Sequence, residues 1–213
     1  MAGTTEGARV LWGAGTPRTM RAHWMLHELD LAYESRPIGS RTGETQTPEY
    51  IRLNPSQKIP VLQDGDFVLS ESAAIVNYLA QTYGASRNLS LPANTKERAL
   101  YDQWCFFVMM ELDADTLYVI RRHEGLKELY GEAPNAVKAA RDCFRNQAQA
   151  AAERLAGPYV LGERFSGADI LLTTCLASAV RNQIELPNVL HDYLRRCTAR
   201  AAYSLAEGAN RRR

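Results

Sequence analysis

Residues 54–72, Asn54 to Ser72 (NPSQKIPVLQDGDFVLSES), decide how this chain is read. An extended run ends in Ile59-Pro60 and leads into a short apolar strand at Val61-Leu62. A tight turn at Asp64-Gly65-Asp66 and a second strand at Phe67-Val68-Leu69 follow. Asp-Gly between short apolar runs signals a hairpin, because glycine tolerates the positive φ that tight turns demand. Ser70-Glu71-Ser72 then opens a helix. The first N–H groups of a helix have no partner within it and lie at its positive end, so this start suits a carboxylate. By itself the stretch is equally an ordinary hairpin leading into a capped helix.

Towards the N-terminus, residues 1–8 read as a flexible lead and Arg9–Gly13 (RVLWG) as a first strand. After Gly13-Ala14-Gly15, Thr16-Pro17 predicts a helix start, with threonine as N-cap and proline at the first helical position. That helix reaches about Leu29-Asp30. Ala32–Pro37 reads as an edge strand, since Pro37 has no N–H for a ladder, and Ser40–Thr47 as a polar surface loop. A short helix is predicted at Pro48–Leu53, and another from Ser72 to Gly84. Strand, helix, strand, helix, two strands and helix in that order describe a thioredoxin-like α/β unit with a right-handed first crossover.

Ala85–Pro92 breaks the composition and is read as a linker between residues 1–84 and a second domain at 92–213. Beyond it strand signals vanish. Thr95 to about His123 keeps apolar residues at helical spacing, and Pro134–Leu155 forms another helix that Gly157-Pro158 ends. Ser166 and Asp169 form a capping box, with Phe165 and Ile170 in the flanking apolar positions. The segment Ile170–Val180 is apolar on every face and is therefore predicted to be central.

The chain has 213 residues and a net charge of +1, enough for one large or two small domains and too balanced to recruit nucleic acid by bulk field. The terminal arginines, Arg211–Arg213, read as a solvated tail. No apolar run reaches the roughly 20 residues needed to span a bilayer, and the first residues lack an apolar signal core. Cys105, Cys143, Cys175 and Cys197 lie far apart in helical stretches, as reduced thiols of a cytoplasmic protein do. His23 and His27 stand at i, i+4 without a third ligand, so no metal is expected.

NPSQKIPVL, a hairpin and then SES resemble the glutathione-binding half of soluble glutathione transferases. The box and buried helix of the second half extend that resemblance over residues 9 to about 200. It implies a thioredoxin-like domain followed by an all-helical one, in a symmetric homodimer engaged in detoxification chemistry. It also implies that Pro60 is cis, that the backbone of Ile59 pairs with the cysteine of glutathione, and that Glu71 and Ser72 hold its γ-glutamyl end. Lys58 matches the residue that meets the glycyl carboxylate, and Arg18 sits where it could assist the thiolate or a carboxylate.

A free thiol with a pKa near ~8.5 is only a few per cent ionised at pH 7, and lowering it by two units takes ~2.7 kcal/mol. A helix dipole supplies ~0.3–2 kcal/mol, and a hydrogen bond to a charged acceptor about 1.5–3 kcal/mol. TPRTMR matches the family's Ser/Thr/Cys-Pro-x-x-x-Arg start with Thr16, Pro17 and Arg21, which makes Thr16 the expected thiolate donor. Threonine is found there in only some bacterial members, Thr19 is a rival hydroxyl, and Thr16 also reads as a plain cap. Tyrosine and cysteine mechanisms do not fit, because Trp12 stands in the first strand and the first cysteine is Cys105. The electrophile is expected between the domains against the long helix, with Phe107, Met110, Glu111, Leu117 and Tyr118 as candidates. The implied function is a glutathione transferase acting on an apolar electrophile. A glutathione-dependent disulfide or peroxide reductase and a non-catalytic binding module are the alternatives on the same fold.

Overall fold

The structure is a computed structural model that describes residues 8–212. Most of the lead predicted over residues 1–8 therefore lies outside the described residues, as does Arg213. The described chain forms two compact units, one of residues 8–90 with 200–212 and the other of residues 91–199.

In the first unit β1 (Arg9–Trp12), α1 (Pro17–Glu28), β2 (Glu34–Arg36), α2 (Pro48–Leu53), β3 (Val61–Asp64), β4 (Phe67–Ser70) and α3 (Ser72–Tyr83) follow in order. The sheet runs β2-β1-β3-β4, with β2 parallel to β1 and the other neighbours antiparallel. Leu11 stands opposite Leu62, which in turn faces Leu69. This is the thioredoxin-like arrangement expected from the sequence. Leu11 and Leu62 join Trp24, Met25, Leu26, Ile75, Val76 and Leu79 in the core, and a second cluster of Tyr50, Ile59 and Val61 packs with Trp12, Ile38 and Leu53.

Gly84 follows α3, as expected, but at φ −74, outside the left-handed region. Space is what demands glycine here: a Cβ would lie 2.6 Å from the Ser90 nitrogen and 2.7 Å from the Leu89 carbonyl carbon.

The second unit begins with α4 (Thr95–Phe107), whose helical course continues through π-helical turns at Val108–Leu117 and Arg121–Gly125, separated by α5 (Tyr118–Ile120). The Tyr118 N–H reaches the Asp113 carbonyl, five residues back. Apolar spacing alone reads as an ordinary helix here; the wide turns are a difference the structure adds. Then come α6 (Lys127–Tyr130), α7 (Pro134–Arg154), α8 (Gly167–Arg181) and α9 (Asn188–Thr198). Residues Gly167 to Leu176 of α8 are all buried, as its all-round apolar sequence predicts.

The last helix, α10 (Ala201–Ala209), packs in the first unit beside α1. The second domain expected at 92–213 thus loses its end to the first. Trp24 meets Tyr203 edge-on at 4.9 Å, and Arg200 grips the Glu28 carboxylate with two bonds of 2.6 and 2.7 Å. Arg211 and Arg212 are exposed, as a solvated tail implies, and the Arg212 guanidinium makes a surface bond to Glu44 at 3.1 Å.

Candidate functional site: a neutral cap, a cis proline and a serine at two helix starts

Three stretches of the first unit meet around the start of α1. The first is the loop out of β1. Gly13, at φ 111, leaves room for Ile59, since a Cβ on Gly13 would lie 2.6 Å from the Ile59 Cβ. The Gly13 carbonyl receives the His23 ring at Nε2, 3.2 Å away. A carbonyl only accepts, so His23 carries its proton on Nε2 and its Nδ1 accepts from the Tyr33 hydroxyl at 2.7 Å. His27 Nε2 lies 3.3 Å from the same hydroxyl and donates to it. Burial holds His23 neutral, with its pKa lowered to about 4, and pushes the Tyr33 phenol up to about 12. The two histidines are thus spoken for by Tyr33 and Gly13. Among the described residues no cluster of three or more His, Cys, Asp or Glu side chains could hold a metal ion.

The cap itself is built from two hydroxyls. Thr16, extended at φ −130 and ψ 157, accepts the Thr19 N–H at 3.0 Å, and Thr19 Oγ1 accepts the Thr16 N–H at 3.0 Å. Thr16 is therefore the capping residue that one reading of the sequence made it. Thr19 is fully buried, and its hydroxyl lies 2.6 Å from Asn210 Oδ1. That contact engages Thr19, the rival hydroxyl, within the protein. The first turn of α1 carries no acidic residue, so the positive end of the helix is balanced by no charge of its own. Arg18 is half-buried on the same turn.

The second stretch is the approach to Pro60. The Ile59-Pro60 bond is cis, as the resemblance implies. The Lys58 carbonyl accepts from the Tyr50 hydroxyl at 2.7 Å and from Asn54 Nδ2 at 2.9 Å, which fixes the backbone while the Lys58 side chain stays exposed. Ile59 is buried against Tyr50 and Val61. Burial raises the Tyr50 phenol well above its usual range, so it acts here as a neutral donor.

The third is the start of α3. Glu71 is exposed and sits at φ 68 and ψ 114, a conformation that costs a non-glycine residue about 1–3 kcal/mol and persists where the surroundings impose it. Ser72 is buried, and its hydroxyl accepts from Arg21 Nη1 at 3.2 Å. Arg21, itself buried on α1, ties the starts of α1 and α3 together. The sequence supplied Arg21 only as a pattern match. Tyr50, Asn54 and Asn210 were not anticipated; the Asn-Pro pair before the hairpin was the local signal for Asn54, and nothing local pointed to Asn210.

The candidates of the second unit separate by burial. Phe107 and Leu117 belong to its core, Phe107 with the Arg154 guanidinium 5.0 Å from its ring centre. Met110 is 55 % exposed, Glu111 is half-buried, and Tyr118 is half-buried under the Arg122 guanidinium at 4.6 Å.

Residues 9–81 match the family model of the glutathione S-transferase N-terminal domain. The theta class glutathione S-transferase of Xanthomonas axonopodis pv. citri, solved with glutathione bound, is 31 % identical over 93 % of this chain and 96 % of its own, at a TM-score of 0.79. A glutathione S-transferase of Xylella fastidiosa aligns at 26 % identity and a TM-score of 0.81 over 95 % of this chain and 98 % of its own. The glutathione S-transferase-like protein gedE of Aspergillus terreus is 37 % identical over 99 residues, 46 % of this chain and 43 % of that protein. The chain spans about half the length of the curated relatives it matches first.

Proposed function

The chain belongs to the soluble glutathione S-transferase superfamily, and on that premise we propose that it binds glutathione, stabilises its thiolate and joins it to an apolar electrophile. The observation that carries this reading is the convergence of cis Ile59-Pro60, the buried Arg21–Ser72 pair and the uncharged Thr16 cap within one unit. The cysteine backbone of glutathione pairs beside Ile59, its γ-glutamyl carboxylate takes Ser72 and the N-terminal end of α3, and its ammonium takes the exposed Glu71. Lys58 and Arg18 serve the remaining carboxylate charge. The thiol proton leaves to solvent, and the Thr16 hydroxyl donates to the sulfur. The sulfur lone pair then forms the bond to the electrophilic carbon, whose leaving group departs with its electron pair.

Conjugation is favoured over disulfide or peroxide reduction by the placement of thiols. All four cysteines fall in residues 91–199 and none in the unit that carries the cap, so reduction would draw on a second glutathione in place of a thiol from that unit. Exposed Met110 supports an apolar acceptor with Glu111 and Tyr118 nearby on the same helical course. Exposed Phe67 and Val68 on β4 support a homodimer, and cysteines that form no disulfide, three of the four buried, support a cytoplasmic setting.

The test is a pH titration of the ultraviolet thiolate absorbance of glutathione bound to the protein. A midpoint one to two units below that of free glutathione is expected, and Thr16→Ala should return it upward and lower kcat about 10–100-fold, the worth of one hydrogen bond to a charged acceptor. An unshifted midpoint in the unaltered protein would leave a binding module and no transferase. A Thr16→Ala protein with unchanged kcat would take Thr16 out of the reaction.

A further inference from the structure

Helix α10 lies along α1 and holds it at both ends. At the far end Arg200 pairs with Glu28; at the near end Asn210 reaches the cap. The bonds of Asn210 are specific in direction. Its Oδ1 lies 2.6 Å from the Thr19 hydroxyl and 3.1 Å from the Gly15 N–H, its Nδ2 donates to the Thr16 carbonyl at 3.1 Å, and its own carbonyl accepts from the Gly15 N–H at 2.8 Å. The amide is oriented by its backbone partners, because turned round it would set Nδ2 against the Gly15 N–H and Oδ1 against the Thr16 carbonyl.

Counting protons assigns the rest. The Thr16 carbonyl receives Met20 N–H at 3.0 Å as well as Asn210 Nδ2, so both of its lone pairs are engaged. The Thr19 proton, which has that carbonyl at 2.9 Å as its other backbone acceptor, goes to Asn210 Oδ1. Thr19 Oγ1 is left to accept from the Thr16 N–H. Gly15, Thr16 and Thr19 are thus each held by the same side chain; with its own proton on Asn210, Thr19 Oγ1 can only accept from the Thr16 hydroxyl 3.0 Å away, and Thr16 turns its proton to a ligand by giving up that contact.

We infer that Asn210 is a positioning residue for the thiolate: it fixes the Gly15–Thr16 corner and the Thr19 hydroxyl so that the Thr16 hydroxyl meets the sulfur with no rearrangement beyond that turn. This rests on the transferase reading above. The device is pre-organisation, in which the cap is held in its productive geometry before the ligand arrives. Asn210 touches neither glutathione nor the electrophile; it acts through Thr16 and Thr19.

The experiment compares Asn210→Ala with Arg200→Ala, which loosens the other end of the same helix. Bound-glutathione thiolate midpoint, kcat, KM for glutathione and thermal midpoint are measured for both and for the unaltered protein. Asn210→Ala is expected to raise the thiolate midpoint by about half a unit to one unit and to lower kcat about three- to tenfold, with KM for glutathione changed less than about twofold. Arg200→Ala is expected to lower the thermal midpoint and leave the thiolate midpoint in place. In a Thr19→Val background Asn210→Ala should add little further shift. An Asn210→Ala protein with the native thiolate midpoint overturns the inference and leaves the transferase reading standing. So does an Arg200→Ala protein whose midpoint moves as far, since the effect would then be general loosening of α10. If the unaltered protein does not lower the midpoint at all, the reading falls and the inference with it.

Discussion

Helices α1 and α8 both start with a hydroxyl residue whose backbone N–H turns back to the side chain of the third helical residue, Thr16 to Thr19 and Ser166 to Asp169. That backbone bond is shared and the charge is not. Asp169 is buried and accepts from the Ser166 N–H and hydroxyl at 2.8 Å each, and from the Val160 N–H and Tyr193 hydroxyl at 2.9 Å each. That carboxylate balances the positive end of α8 from within and ties three segments of the helical unit together. At α1 two neutral hydroxyls and a carboxamide do the capping, and the charge of the helix end is left for something else. A box with its own anion organises a core; a box without one is receptive to an anion brought from outside.

The largest effect should come from breaking the self-sufficient box. Asp169→Ala leaves buried donors of Val160, Ser166 and Tyr193 without an acceptor and should cost about 3–5 kcal/mol in urea unfolding. A loss below about 1 kcal/mol would mean the box contributes little to the helical unit.

Proton linkage separates the two regions next. The His23 pKa is depressed from 6.5 to about 4, chiefly by burial, so the unfolded chain takes up the proton first. Its contribution, roughly 3 kcal/mol, is fully present above pH 6.5 and is lost as the pH falls through about 4. Burial raises Asp169 instead, so its contribution has the opposite sign and declines as the pH rises beyond 3.8. Unfolding free energies measured from pH 4 to 7 should therefore rise with a slope that His23→Asn flattens. A slope indifferent to that substitution would show that His23 is not the group responsible.

The smallest and sharpest change converts one box into the other. Thr19→Asp writes the α8 pattern into α1, and the new carboxylate should raise the bound thiol midpoint by up to about one unit through like-charge repulsion. If the midpoint stays low with a carboxylate in that place, the neutrality of the α1 cap is irrelevant to the thiolate.

How far these regions could be read from sequence follows from the range of their contacts. Pro48–Leu53, the Asp-Gly hairpin, the Thr16-Pro17 start and the Ser166-x-x-Asp169 box are written within a few residues each, and the structure has all of them. The wide turns of Val108–Leu117 escaped because i, i+3 and i, i+4 apolar spacing does not distinguish a four-residue from a five-residue hydrogen-bond step. Asn210 and Arg200 escaped for a different reason: their partners are 191 and 172 residues away, and polar residues at a chain end carry no periodicity that names a partner. Arg21 lies between these cases, present in a recognisable motif yet identified as the Ser72 donor only by geometry.

The return of α10 to the first unit also sets an order of events during synthesis. Residues 91–199, being continuous, have every contact internal to their unit in hand once Ala199 has left the ribosome. The first unit, although its sheet emerges first, must wait for Arg200 to neutralise Glu28, for Tyr203 to cover Trp24 and for Asn210 to close the cap. The unit made first is the one completed last, so a chain stalled before residue 200 carries a folded helical unit behind an unfinished sheet domain with the side of α1 beside Trp24 and Glu28 uncovered.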